Sequence, residues 1–163
     1  MIIYLKNKQT LKIDDFYFKC SIGKNGISKK KIEGDKKTPK GVFSIENLYF
    51  REDKIKNPET NLKKIKIKKN MGWCDDIKSN KYNKLISTNK NVHFEKLFRN
   101  DTKYDMLIPI KYNFKKPIKG LGSCVFIHLT KDYSSTAGCI ALSKNDFLIM
   151  LKLIDKNKKI AII

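Results

Sequence analysis

Short runs of Ile, Val, Leu, Tyr and Phe recur along the whole chain, each bounded by Lys, Asn or Gly, a pattern that predicts strands. Strands are expected at about 1–6, 10–14, 16–22, 42–50, 63–68, 104–112, 124–130 and 158–163. The alternation is clearest in Lys64-Ile65-Lys66-Ile67-Lys68, with the isoleucines facing in and the lysines out. Two segments read as helical. One is short, over His93 to Phe98. The other follows Ser143, which opens a capping box with Asp146 ahead of apolar residues at helical spacing. Two long stretches between strands, Lys24 to Gly41 and Met71 to Val92, read as irregular, and loops of that length in a compact domain usually carry function or are disordered. The turn between the first two strands is expected at Asn7 to Gln9. With no internal repeat and no Ser/Gly linker, the simplest organisation is one mainly-β domain over residues 1–163.

Composition agrees with a single folded domain: 163 residues, 40% hydrophobic and 10% aromatic. Charge adds a question, because 36 Lys+Arg against 16 Asp+Glu leaves +20 and invites an anionic partner. Arg51 and Arg99 are the only arginines, and base and phosphate readout favours the planar guanidinium, so specific nucleic-acid binding is not the expected role. A Lys-, Ile- and Asn-rich chain is also what an AT-rich coding sequence produces. No run approaches the ~18 to 20 apolar residues of a membrane span, and MIIYLKNKQTLKI lacks the pattern of a secretory signal. Cys20, Cys74, Cys124 and Cys139 have no CxxC spacing and are too sparse for a disulfide scaffold. Asp75 and Asp76 beside Cys74 lack a nearby His at ligand spacing, so no metal and no cofactor is expected.

The densest chemical signal is VFIHLTKDYSSTAGCIALS, residues 125–143. A strand carries His128, a polar loop follows, and a Gly138-Cys139 pair leads toward the capped helix. A thiol is a weak nucleophile until it loses its proton, and a His within reach serves as base while its imidazolium holds the thiolate. Gly138 lets the turn tighten and leaves its own amide and that of Cys139 free to donate to an oxyanion. The helix N-terminus favours negative charge, but Cys139 precedes the Ser143 cap by four residues. The plainer reading stands beside this one: a Cys is usually a small buried hydrophobe, and a His usually a satisfied core or surface residue. Alternation puts Cys124, Phe126 and His128 on one face, making Cys124 a neighbour of the site or core. Trp73, Tyr82 and Tyr133 are candidates to line a peptide or sugar groove, with core burial the other reading of Trp73. His93 reads as a surface or structural residue.

FIHL followed by STAGCIAL resembles the signature of L,D-transpeptidase catalytic domains of the YkuD type, in which a strand His precedes a Ser/Thr-x-Gly-Cys turn. Upstream, NGISKKKIEGDKKTPKGVF is similar to the N-G...EGD-TP-G-F block of a compact subgroup of that family, and MGWCDD with Tyr82-Asn83 is similar to its central segment. The resemblance runs over roughly residues 23–150. It implies a β-sandwich of mixed sheets with one short and one C-terminal helix, and an enzyme that cuts the bond before a terminal D-Ala of a peptidoglycan stem peptide. It implies Cys139 as nucleophile, His128 as base oriented by a backbone carbonyl just after it, Gly138 and Cys139 amides as oxyanion hole, and Thr136 as the brace of the turn. Thr136, Tyr133 and Trp73 are the expected substrate contacts.

The departures are Ala137 where many members have His, Ala141 where they have Arg or Asn, and a shorter span from His128 to Cys139. The turn therefore lacks an Arg to grip a substrate carboxylate, a role left to lysines acting as point charges. Transfer to a second stem peptide and hydrolysis by water (an L,D-carboxypeptidase) share one acyl-enzyme, and a non-catalytic basic domain binding anionic polymer is the alternative of another class. The resemblance implies the periplasm or cell envelope, while the lack of a signal leaves the cytoplasm open. A monomer is expected.

Overall fold

The computed structural model describes residues 2–89 and 91–163; Met1, within the first expected strand, and Lys90, within the second expected loop, lie outside them. The strands are β1 (Ile2–Lys6), β2 (Thr10–Ile13), β3 (Phe16–Ser21), β4 (Ile27–Ser28), β5 (Thr38–Pro39), β6 (Gly41–Ser44), β7 (Leu48–Phe50) and β8 (Lys64–Lys66). They continue with β9 (Met71–Cys74), β10 (Leu85–Ser87), β11 (Phe94–Lys96), β12 (Met106–Pro109), β13 (Phe126–Leu129), β14 (Ile140–Leu142), the helix α1 (Lys144–Leu153) and β15 (Lys159–Ile162). A ten-stranded mixed sheet runs β6-β15-β1-β2-β3-β14-β13-β12-β7-β8, beside a three-stranded sheet β10-β9-β11 and a β4-β5 pair.

Local chemistry explains several elements. Asn7 and Lys8 at φ 53° and 59°, closed by Gln9 N–H to Lys6 carbonyl, form the turn within the three-residue connection Asn7–Gln9 of the β1–β2 hairpin. Ile3, Leu5, Leu11 and Ile13 then point into the core, with Tyr4 and Lys6 outward. The large sheet curls so that β1, β2 and β15 share one core with β7, β12 and β13. Ser143 Oγ accepts from Asp146 N–H at 3.1 Å and caps α1, a contact of about 1 kcal/mol. The helix seals the core with Phe147, Met150 and Leu151, all fully buried, each contributing roughly 1.5–3 kcal/mol.

Three expectations need correction. His93 to Phe98 contains no helix: Phe94–Lys96 is strand β11, antiparallel to β9, because Phe94 packs its ring over Gly72 and Leu97 is buried. Residues 42–50 are not one strand. Ile45 bridges to Ile110, and the chain divides into β6, paired with β15, and β7, paired with β12. The two loops also hold short strands, since β4 pairs with β5 and β9 with β10.

The site is positioned by the middle of the large sheet. β14 lies between β3 and β13, antiparallel to the first and parallel to the second. The loop entering β14 is tied to the end of β3 by Thr136 N–H to Ile22 carbonyl and Lys24 N–H to Thr136 carbonyl, both 2.9 Å.

Candidate active site

Register brings the two chemical residues together. In the parallel β13–β14 pair His128 stands opposite Ala141, and Cys139, two residues before Ala141, shares its face, so Cys139 is the diagonal neighbour of His128. Both line a cleft of about 430 Å³ together with Gly138, Thr136, Ala137 and Ala141. Of the three expected substrate contacts, Thr136 lines the cleft, and Trp73 and Tyr133 are not part of its lining. Trp73 is buried, donating from Nε1 to Asn83 Oδ1 at 2.9 Å with its ring edge-on to Phe126, and borders a separate cavity with Tyr49 and Phe114. Tyr133 takes φ 56° and stacks under Lys19 Nζ at 4.6 Å. Tyr82 is also buried, its hydroxyl bonded to the Glu33 carboxylate. His93 is outward, its side chain 80% exposed and its Nδ1 2.5 Å from Asp75, whose hydrogen bond raises its pKa.

Cys139 is buried rather than on an exposed turn, at 7% exposure. Its Sγ accepts from Phe126 N–H at 3.3 Å and donates to the Cys124 carbonyl at 3.1 Å. Burial, with the Glu95 carboxylate adding to it, pushes the thiol up to about 12 against the opposing pull of the Phe126 N–H and Lys31. His128 is 6% exposed, and its Nδ1 lies 2.8 Å from the Leu129 carbonyl. A carbonyl only accepts, so Nδ1 carries the proton and Nε2 is the ring's proton acceptor. This is the carbonyl just after His128 that the family resemblance implies. Burial takes His128 down to about 4, with Lys103 and Arg99 lowering it further and the Leu129 bond opposing them. Both shifts favour the neutral thiol and the neutral imidazole. Burial thus acts against the expected thiolate–imidazolium pair, because separating charge in a dry site carries a desolvation cost.

The turn before Cys139 is clamped by one hydroxyl. Thr136 Oγ1 donates to the Cys139 carbonyl at 2.6 Å and accepts from Gly138 N–H at 3.1 Å. The Gly138 amide, expected to be free for an oxyanion, is therefore engaged within the turn. Gly138 has φ 139°, and a Cβ there would sit 2.8 Å from the Lys37 carbonyl oxygen.

Several cleft residues escaped the sequence reading, among them Lys31, Glu95, Arg99 and Tyr104. Tyr104 donates to Glu95 at 2.5 Å and stands edge-on to His128, while burial raises the Glu95 carboxyl. Lys31 alone left a signal, in the acidic Glu33-Gly34-Asp35 that follows it in a basic stretch. Cys124 takes φ 53° just before β13 and borders the cleft while its Sγ reaches the Trp73 carbonyl, so it is both neighbour and core.

Two solved structures resemble the chain, those of the helical cell shape determining protein Pgp2 from Campylobacter jejuni and of its K307A mutant. Each superposes with a TM-score of 0.51 at 19% sequence identity over 99% of this chain. The chain spans 46% of the length of those proteins, and the likeness is one of fold. None of the curated proteins matches. The model of the L,D-transpeptidase catalytic domain family, YkuD, matches residues 1–162, and the chain belongs to that family.

Proposed function

We propose that the protein is a cysteine acyltransferase acting on peptidoglycan stem peptides, an L,D-transpeptidase with its catalytic domain over residues 1–163. One observation carries the reading: the Leu129 carbonyl fixes His128 with Nε2 as acceptor, on the strand beside Cys139, in one cleft. As the stem-peptide carbonyl enters, Cys139 Sγ bonds to its carbon, the thiol proton passes to His128 Nε2, and the carbonyl electrons move onto oxygen. Starting from two neutral groups, proton transfer accompanies attack rather than preceding it. Collapse of the oxyanion expels the amine of D-Ala, which takes the proton from His128 and leaves a thioester on Cys139. An amine of a second stem resolves the thioester. With the Gly138 amide engaged by Thr136, the oxyanion falls to the Cys139 amide and to a charged neighbour considered below.

Family membership supports a peptidoglycan substrate and a place in the cell envelope. Among the described residues no helix is long and apolar enough to cross a membrane. Incubation with purified stem peptides and mass spectrometry of the products tests the reading. Crosslinked dimers support transfer, and tripeptides alone would replace it with L,D-carboxypeptidase hydrolysis. Should neither form, and should binding to anionic polymer fall steeply with salt and ignore Cys139→Ala, the +20 charge would define a non-catalytic binding domain instead.

A further inference from the structure

Lys31 differs from the other lysines that line this cleft or surround it. Its side chain is only 5% exposed. A buried ammonium is stable only when held by hydrogen-bond acceptors. Nζ donates to Asp35 Oδ1 and to the Lys37 carbonyl, both at 2.5 Å. Asp35 is locked in turn by the Ile32 and Lys37 N–H groups at 3.0 and 2.9 Å. The stem of Lys31 lies against Gly122, where a Cβ would approach Cε to 2.8 Å. Nζ itself lies 3.8 Å from the position a Cβ would take on Gly138, the residue before Cys139.

Among the described residues these are the partners of Nζ, and an ammonium has three N–H groups. One is left for the cleft that Lys31 lines with Gly138 and Cys139. Two other cations line it. Arg99 is paired with Asp101, and Lys103 is exposed. The other titratable groups of the cleft are the carboxylates Glu33, Asp75, Glu95 and Asp132, with Tyr104, Cys124 and His128; the acids carry no positive charge, and burial disfavours it on His128.

We infer that Lys31 is the cation that stabilises negative charge at Cys139, on the thiolate as it forms and on the oxyanion of acyl transfer. The inference rests on the reading of Cys139 as the nucleophile. Lys31 exchanges no proton: the thiol proton goes to His128 Nε2, the Sγ–C bond forms, and the carbonyl electron pair settles on an oxygen that Nζ–H faces. It takes the place left by the Gly138 amide, which Thr136 holds, and by the Arg missing at Ala141.

Iodoacetamide alkylation of Cys139 against pH, read by peptide mass spectrometry, tests this without substrate. Replacing the ion pair by Lys31→Met with Asp35→Asn is expected to move the alkylation profile upward by about one pH unit. Asp35→Asn alone removes the anion that offsets Lys31 and is expected to speed alkylation, a sign that a merely structural role does not give. With stem peptide, the double variant is expected to lose about 10²- to 10³-fold in kcat with KM little changed. A folded double variant whose profile does not move, or an Asp35→Asn profile that moves upward, overturns the inference. Turnover retained by Cys139→Ala would instead sink the acyl-transfer reading and leave the alkylation comparison to decide Lys31 by itself.

Discussion

Cys139 donates its thiol proton to the carbonyl of Cys124, 3.1 Å away, and Phe126 N–H of the same segment donates to the sulfur at 3.3 Å. Cys124 presents that carbonyl because its backbone is in the left-handed region, at φ 53°, immediately before β13 straightens. The Cys139 thiol is thus hydrogen-bonded by backbone alone, beside the strand that carries His128.

Cys139→Ala is expected to abolish turnover while leaving a folded protein. Because the thiol is buried among Trp73, Phe126 and Tyr104, some stability goes with it, about 1 kcal/mol. Product analysis and a thermal melt on the same preparation check both, and residual turnover at the wild-type rate would remove Cys139 from the mechanism.

His128 sets a pH dependence with a definite sign. Its folded pKa of about 4 lies below the ordinary value of 6.5, so between these pH values the unfolded chain binds more protons than the folded one. Its contribution to stability is complete above about pH 6.5 and is lost as pH falls toward 4, on the order of 3 kcal/mol in all. Urea unfolding at pH 7 and pH 4.5 should show a smaller loss in His128→Gln than in the parent. The same substitution removes the proton acceptor and should lower the rate about 10²- to 10⁴-fold. His93→Gln, at the exposed Asp75 pair, should change neither.

Gly138→Ala places a methyl 2.8 Å from the Lys37 carbonyl oxygen at a φ of 139°. The turn has to shift, at a cost of about 1–3 kcal/mol, and Cys139 shifts with it. Expected together are a lower melting temperature and a loss of turnover. An unchanged rate would show that the turn geometry does not matter to the chemistry.

Thr136→Val keeps the shape and removes the hydroxyl that joins Gly138 N–H to the Cys139 carbonyl. Two backbone groups lose their partner, so stability should fall by about 1–3 kcal/mol, and Thr136→Ser should restore most of it. Denaturant titration of the three proteins reads this directly.

Some features were legible in the chain because neighbouring residues decide them. The Asn7-Lys8 turn, the Ser143–Asp146 cap, the alternation through Ile65 and Ile67 and the Thr136-Ala137-Gly138-Cys139 turn each depend on contacts a few residues apart. The carbonyl after His128 came from the family resemblance rather than from local pattern, and Leu129 supplies it from the next residue. The family resemblance added what spacing alone left open, the association of that turn with a strand His.

Tertiary structure decided the rest. His93 to Phe98 has apolar residues that fit a short helix, but the bare backbone of Gly72 accepts the Phe94 ring and draws the segment into a sheet. Trp73 has the chemistry of a groove residue and is instead packed between Tyr49 and Phe126, far along the chain, while Tyr133 turns to Lys19. The pKa shifts were equally out of reach: burial raises the Cys139 thiol and lowers the His128 imidazole because residues from several distant strands surround them, and no local pattern encodes a dielectric. Nor does a run of three lysines, 29–31, reveal which one is buried. That choice depends on Asp35 and the Lys37 carbonyl meeting Gly122 and Gly138 from elsewhere in the chain, a long-range coincidence that only the folded molecule brings about.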